Sequence, residues 1–171
     1  LRAALCHEGY VAPASDGKHS VGASFAVSAS DPAPRASDNR DNLAKLATAV
    51  PAWREALDAL DPAELEGRVG YRCASPDYLP AVGPAPDTAA FLSDFESLRK
   101  NARQPVPSQG RYMPGLYISA AHGSRGLTST PIAAELLASM IFSEPPPLSR
   151  QLCRALAPAR FIIRDLSRNR I

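Results

Sequence analysis

Arg72 and the run His122-Gly123-Ser124-Arg125-Gly126-Leu127-Thr128-Ser129 are the residues of this chain best suited to chemistry. A guanidinium is a planar fork of N–H donors that matches a carboxylate and keeps its charge, so Arg72 and Arg125 are candidate substrate-binding clamps. The glycines at 123 and 126 let the backbone approach a ligand closely. The helix expected after them presents unpaired N–H groups and the positive end of its dipole. That combination suits an anion or an electron-rich ring edge. Plainer readings stand beside it: Arg72 as a surface or ion-paired arginine, and His122 as a residue that satisfies loop backbone groups instead of moving a proton. No second acid or base stands out, so no catalytic residue is assigned. The phosphate-loop alternative fails, because no Gly-Lys-Ser/Thr occurs.

These groups have to be positioned by a strand, a glycine loop and a helix. Residues 116–121 form a short β-leaning apolar run, and from Pro131 apolar residues recur with helical period. Upstream, the alternating run 66–74 predicts a strand that carries Arg72 on the face opposite Tyr71 and Cys73, followed by an extended, proline-punctuated loop over 75–84. Two strands around residues 1–6 and 18–28 predict a hairpin. Ser37 or Asp38 is placed to cap a helix with Leu43, Leu46, Ala47 and Val50 on one face, stopped by Pro51; Trp53 then falls on a helical piece as a core residue. Residues 88–100 predict a helix with Phe91, Leu92, Phe95 and Leu98 facing inward.

At 171 residues and 45% hydrophobic content the chain is long enough for a real core, and a net charge of +2 excludes a whole-molecule electrostatic binder of nucleic acid. Basic character is local. Between Leu148 and Ile171, Arg150, Arg154, Arg160, Arg164, Arg168 and Arg170 stand against Asp165 alone. Spacings of four allow shared helix faces, which can be a solvated surface, a phosphate-binding surface or a domain interface. Cys6, Cys73 and Cys153 are odd in number and lack metal spacing, which predicts buried or incidental thiols, a reducing compartment and no metal site. No apolar run approaches the roughly 20 residues of a membrane span, and the expected location is the cytoplasm. The opening at Leu1 without an initiator Met suggests a piece of something longer.

Arg72-Cys-Ala-Ser-Pro-Asp-Tyr-Leu-Pro-Ala-Val-Gly83 followed, in order, by Ala121-His-Gly-Ser-Arg-Gly126 resembles the D-amino-acid oxidase superfamily of FAD-dependent amine oxidoreductases. Within it, Glu8-Gly-Tyr-Val-Ala-Pro13, Val21-Gly-Ala-Ser-Phe25, Gly67 to Cys73, His122 to Ser129 and the ending from Leu148 to Ile171 resemble the oxidoreductase half of bifunctional enzymes that modify the tRNA wobble uridine. The resemblance implies an α+β fragment of a D-amino-acid-oxidase-like fold. Residues 1–114 would belong to a mostly antiparallel substrate-domain sheet, 115–145 to the strand, loop and helix of the FAD domain, and 146–171 to a basic helical tail. It implies FAD as cofactor, held by His122 to Ser129, and Arg72 and Arg125 as substrate-binding residues. It implies tRNA as partner, contacted by Arg160, Arg164, Arg168 and Arg170, and removal of the carboxymethyl group of 5-carboxymethylaminomethyl-2-thiouridine by oxidation of a CH–NH bond. No Gly-x-Gly-x-x-Gly occurs, so the dinucleotide-binding unit and a methyltransferase part would lie elsewhere in the same polypeptide, and the isolated piece is expected to be inactive. A small-molecule amine or glycine oxidase and a non-catalytic RNA-binding or interdomain module are the alternatives.

Overall fold

Asp16 and Gly17 make the first tight turn, both with positive φ (51° and 77°) in the computed structural model, the mirror-image turn whose twist suits a β-hairpin. Ser15 and Lys18 bridge across it. The middle strand β2 (Tyr10–Val11) pairs antiparallel with β1 (Leu5–Cys6) on one side and β3 (Val21–Gly22) on the other. The expected two-stranded hairpin is therefore a three-stranded sheet, and the segment read as its connection supplies the central strand. Val11, 1% exposed, is the reason that strand is worth forming. The structure describes residues 1–26, 31–106 and 109–171, so the last two residues of the strand expected over 18–28 lie outside the described residues. Gly9 is required by close approach: a Cβ there would meet the Gly22 carbonyl.

Helix α1 (Ala36–Ala49) lies against β3 and buries Leu46 and Ala47. Its N-cap is Arg35 rather than Ser37 or Asp38. Asp38 sits instead in the first turn, where its carboxylate accepts from Arg35 Nε at 2.8 Å and faces the positive end of the dipole. Val50 ends the helix and Pro51 opens a 3-10 turn that leads into α2 (Arg54–Asp58). Trp53 is 37% exposed, so it is not the core residue its spacing suggested. Residues 66–73 form no regular strand. Gly67 and Gly70 weaken strand formation, and no neighbouring strand among the described residues offers this segment a ladder.

Residues Leu1–Tyr71 and Arg72–Ile171 are separate compact units. In the second, β4 (Ala81–Pro86) pairs antiparallel with β5 (Tyr112–Ala120), from Ala81 opposite Ala120 to Pro86 opposite Tyr112. The prolines at 80, 84 and 86 had argued for an extended loop; in a two-stranded ladder β4 is an edge, where a missing N–H costs little. Asp87 caps α3 (Thr88–Asp94), its carboxylate accepting from Ala90 N at 3.0 Å, and a 3-10 turn over Glu96–Arg99 replaces the second half of the single helix expected. Phe91 stacks on Phe95 with centroids 5.1 Å apart, and Gly110 lies so close to the Phe91 ring that a Cβ would strike it. Helix α4 (Gly126–Phe142) ends on Ser143 in the left-handed region, then α5 (Arg150–Leu156) and α6 (Arg160–Ser167) follow. Val82, Ala133 and Leu136 form the core of this unit, closed by Met140, Cys153 and Leu156. Leu166 of α6 is fully buried in the part of the unit that holds α3. Cys6 and Cys73 are exposed rather than buried, and Cys153 is half-buried. The architecture is α+β with antiparallel sheets, as expected. Among the described residues no helix is long and apolar enough to cross a membrane.

Candidate functional site

Ala121 closes β5 with φ of 60°, and Gly123 follows with 57°. These two left-handed residues flank His122 and swing the chain into a 3-10 turn over Gly123–Arg125 that runs directly into α4. The helix begins at Gly126, five residues ahead of the Pro131 start read from the sequence, and Pro131 is a residue inside it. A proline there removes the N–H that would serve the Leu127 carbonyl. Two hydroxyls tie down the same turn: Ser129 Oγ donates to Arg125 O at 2.9 Å and Thr130 Oγ1 donates to Gly126 O at 2.8 Å.

His122 is the strut of this loop. Its Nδ1 lies 2.9 Å from Ser129 Oγ and its Nε2 lies 3.1 Å from Ser119 Oγ, so the ring joins the end of β5 to the first turn of α4. With the single Ser129 hydroxyl proton given to Arg125 O, Nδ1 is the donor to Ser129, and in the neutral ring Nε2 then accepts from Ser119. Both nitrogens are occupied in holding the loop. That favours the plainer reading of His122 over a proton-transfer role.

The loop is also held from outside. Gly123 N donates to Cys73 O at 3.0 Å, and Ala74 bridges antiparallel to His122. This contact brings the segment carrying Arg72 against the loop carrying Arg125, a proximity that a separation of 53 positions conceals in the sequence. Arg72 and Arg125 are both exposed. Since Arg72 stands on no regular strand, its presentation comes from the pairing of Cys73 and Ala74 with the loop, and the alternation argument for its facing falls away. The N-cap residue of α4, Arg125, makes no side-chain capping bond, and Leu127 beside it is 98% exposed. The positive end of the dipole of a 17-residue helix therefore lies beside the exposed Arg125, while the preceding 3-10 turn already takes up Arg125 N, which donates to His122 O.

One member of the proposed tRNA surface is spent elsewhere. Arg160 donates from Nε to Asp77 Oδ2 at 2.9 Å and from Nη2 to Asp77 Oδ1 at 2.9 Å and Leu79 O at 2.8 Å. Its Nη1 donates to Leu156 O at 2.9 Å and Ala157 O at 3.2 Å. All five guanidinium N–H groups are used and the side chain is 13% exposed, so Arg160 is a structural staple whose donors are already taken up within the fold. Asp77, in the loop ahead of β4, also accepts from Leu79 N, with Ser75 Oγ 2.8 Å from Oδ1. The Arg160 guanidinium, more than these, holds its carboxyl well below the usual carboxylate range. No sequence signal links residues 83 apart in this way. Arg164 is half-buried, with Nε 3.5 Å from Asp165 and its guanidinium over the Phe161 ring, while Arg168 and Arg170 are exposed.

Residues 3–140 match the family model described as FAD dependent oxidoreductase. The chain belongs to this family. Full-length similarity extends further, through the basic tail. A Chromobacterium violaceum protein is 43% identical over 171 residues, covering 100% of this chain and 26% of its own length. Relatives from Chromohalobacter salexigens and Pseudomonas aeruginosa are each 46% identical, covering 98% of this chain and 25% and 26% of their own. All three are named tRNA 5-methylaminomethyl-2-thiouridine biosynthesis bifunctional protein. The chain thus spans about a quarter of the length of the curated relatives it matches. The dipole of α4 beside a left-handed Gly123 has the sign that a ring gaining negative charge on reduction would need.

Proposed function

We propose that this chain is part of an FAD-dependent oxidoreductase that removes the carboxymethyl group of 5-carboxymethylaminomethyl-2-thiouridine at the wobble position of tRNA. In this reading residues 1–114 contribute to the substrate domain, 115–145 to the flavin domain and 146–171 to a basic tail. The observation that carries it is the pairing of the Arg72 segment with the His122 to Ser129 loop, in a chain whose likeness to the tRNA-modification relatives continues beyond residue 140, where the general family match ends.

The substrate is a secondary amine bearing a CH2–COO− group. Arg72, with Arg125 beside it, would hold the carboxylate through charge-assisted hydrogen bonds and so fix the adjacent CH2. FAD, when bound, would supply a two-electron acceptor for the hydride of that carbon. The amine nitrogen then forms a C=N bond to the oxidised carbon as its proton leaves; water adds to that bond, and C–N cleavage gives the aminomethyl uridine and glyoxylate. The His122 to Ser129 loop and first turn, with the dipole of α4 and the N–H groups of Leu127 and Thr128, would stabilise negative charge on the cofactor ring. His122 and Ser129 keep those donors aimed by bracing the loop. No step demands a strong protein base, in keeping with His122 as a strut. Arg164, Arg168 and Arg170 remain the proposed tRNA contacts of the tail, and the methylating activity in the relatives' biosynthetic name would belong to a part of the polypeptide outside this chain.

The test is a chimera in which these residues replace the equivalent segment of the Pseudomonas aeruginosa relative. Its flavin absorbance reports folding, and mass spectrometry of tRNA carrying the carboxymethylaminomethyl group reports activity. Retained flavin with no loss of the carboxymethyl group, and no glyoxylate, would overturn the proposal.

A further inference from the structure

A groove of about 490 Å3 in the Arg72–Ile171 unit is lined by Tyr112, Tyr117, Met140, Arg150, Cys153 and Arg154, among others, and shares no residue with the His122 loop. Arg150 and Arg154 stand one helical turn apart on α5, on one face. Both are exposed, and neither is in an ion pair among the described residues. The tyrosines are five apart on β5, an odd separation that sends side chains to opposite faces of a regular strand. The ladder is not regular there: Pro84 faces Tyr117 and Pro86 faces Tyr112, so β5 spends five steps where β4 spends two. Gly115, inside that excess, takes φ of 69°. The irregularity brings both rings to one groove. Phe91 meets the Tyr112 ring edge-on at 5.4 Å, so this ring is already positioned before any ligand arrives.

We infer that this groove binds a single-stranded stretch of the RNA substrate, a base stacking on a tyrosine ring while Arg150 and Arg154 hold the flanking phosphates. The inference rests on the tRNA reading above and adds a site to it. Aromatic faces beside a cationic track are what an unpaired nucleic-acid strand needs, because every base has a face to stack and every linkage carries a charge. An acidic protein surface would answer the arginines but would leave the tyrosines without a matching partner.

The experiment uses the flavin-loaded chimera and two probes, a fluorescein-labelled 12-nucleotide oligouridylate and intact tRNA. Arg150→Ala/Arg154→Ala is expected to weaken oligouridylate binding about tenfold near 0.1 M salt and to reduce the slope of log K against log salt by about 1.4, two phosphate contacts at ~0.7 each. Tyr117→Ala is expected to lose about tenfold, whereas Tyr117→Phe keeps near wild-type affinity because the ring face survives. If the double variant loses flavin, Arg150→Gln/Arg154→Gln takes its place. Unchanged affinity and slope in these variants would overturn the inference. So would unchanged RNA binding accompanied by dissociation of the methyltransferase part under limited proteolysis, which would make the groove an interdomain surface. Groove-dependent binding without carboxymethyl removal would sink the proposed function and keep the groove; carboxymethyl removal with the same kcat/KM in every groove variant would do the reverse.

Discussion

The Asp77–Arg160 staple fixes the tail of the chain to the loop ahead of β4, and its energetic weight can be worked out from its surroundings. Exposed ion pairs contribute about 0.2–1 kcal/mol, while breaking a buried one costs about 3–5 kcal/mol, because an uncompensated charge stays behind. Side-chain exposures of 13% for Arg160 and 29% for Asp77 place this pair between the limits, nearer the buried one. Arg160→Ala also strips donors from the carbonyls of Leu79, Leu156 and Ala157. We expect it to destabilise the Arg72–Ile171 unit by about 3 kcal/mol, a urea midpoint shift on the order of 1–2 M for a slope near 2 kcal/mol/M. Arg160→Lys should recover less than half, because an ammonium keeps the charge but not the five-donor fork. Far-UV circular dichroism is a suitable probe, since α3 to α6 belong to this unit. In a double-mutant cycle with Asp77→Ala the coupling should be about 2 kcal/mol. The pair also sets a direction with pH. The Asp77 carboxyl titrates lower in the folded protein than its ordinary 3.8, chiefly through Arg160. Its contribution is therefore complete above that ordinary value and is lost as pH falls below it toward the folded value. Asp77→Asn should flatten this acid limb. A coupling below about 0.5 kcal/mol, or an acid limb unchanged in Asp77→Asn, would refute the reasoning.

The remaining predictions concern the site and its support. The isolated chain should be colourless after gel filtration, because no dinucleotide-binding turn is present in its sequence to hold the pyrophosphate of FAD; stoichiometric yellow flavin retained by the pure chain would contradict this. Arg72→Ala in the chimera should leave flavin content intact and slow flavin bleaching by substrate tRNA at least tenfold under anaerobic conditions, with partial rescue by Arg72→Lys; wild-type bleaching in Arg72→Ala would remove Arg72 from the site. His122→Ala should lower flavin retention through a loosened loop yet leave the pH profile of bleaching unchanged, and a lost ionisation in that profile would restore a proton role to His122. Gly9→Ala should destabilise the Leu1–Tyr71 unit by more than about 2 kcal/mol, since its methyl meets the Gly22 carbonyl, read as a lower midpoint of Trp53 fluorescence in urea.

Motif order in the sequence pointed to the family, and hydrophobic period located α1, α3 and the strand-loop-helix at the site. It misplaced boundaries wherever a local rule met a tertiary partner. Pro131 looked like a helix start because proline suits a first turn, yet the chain enters α4 five residues earlier. That entry depends on a left-handed Ala121, the His122 strut and the grip of Cys73 on Gly123. The strand through Val69 read well by alternation and failed for want of a neighbour, while β4, unpromising for its prolines, formed because β5 supplied one.

What the sequence by itself determined is chemical: which side chains are present, their order, the absence of a dinucleotide fingerprint, and a cluster of arginines at one end. Those properties survive in any conformation. What only the tertiary structure decided is allocation. Arg160 and Arg168 are eight positions apart in the same basic stretch. One is consumed by Asp77 and three carbonyls and the other is left at the surface. Arg72 meets its loop through a backbone pair, and two tyrosines share a groove through an irregular ladder. Hydrogen bonds and burial act at a few ångströms in space regardless of separation along the chain, so the partner that fixes a residue's role is set by packing and cannot be read from its neighbours in sequence.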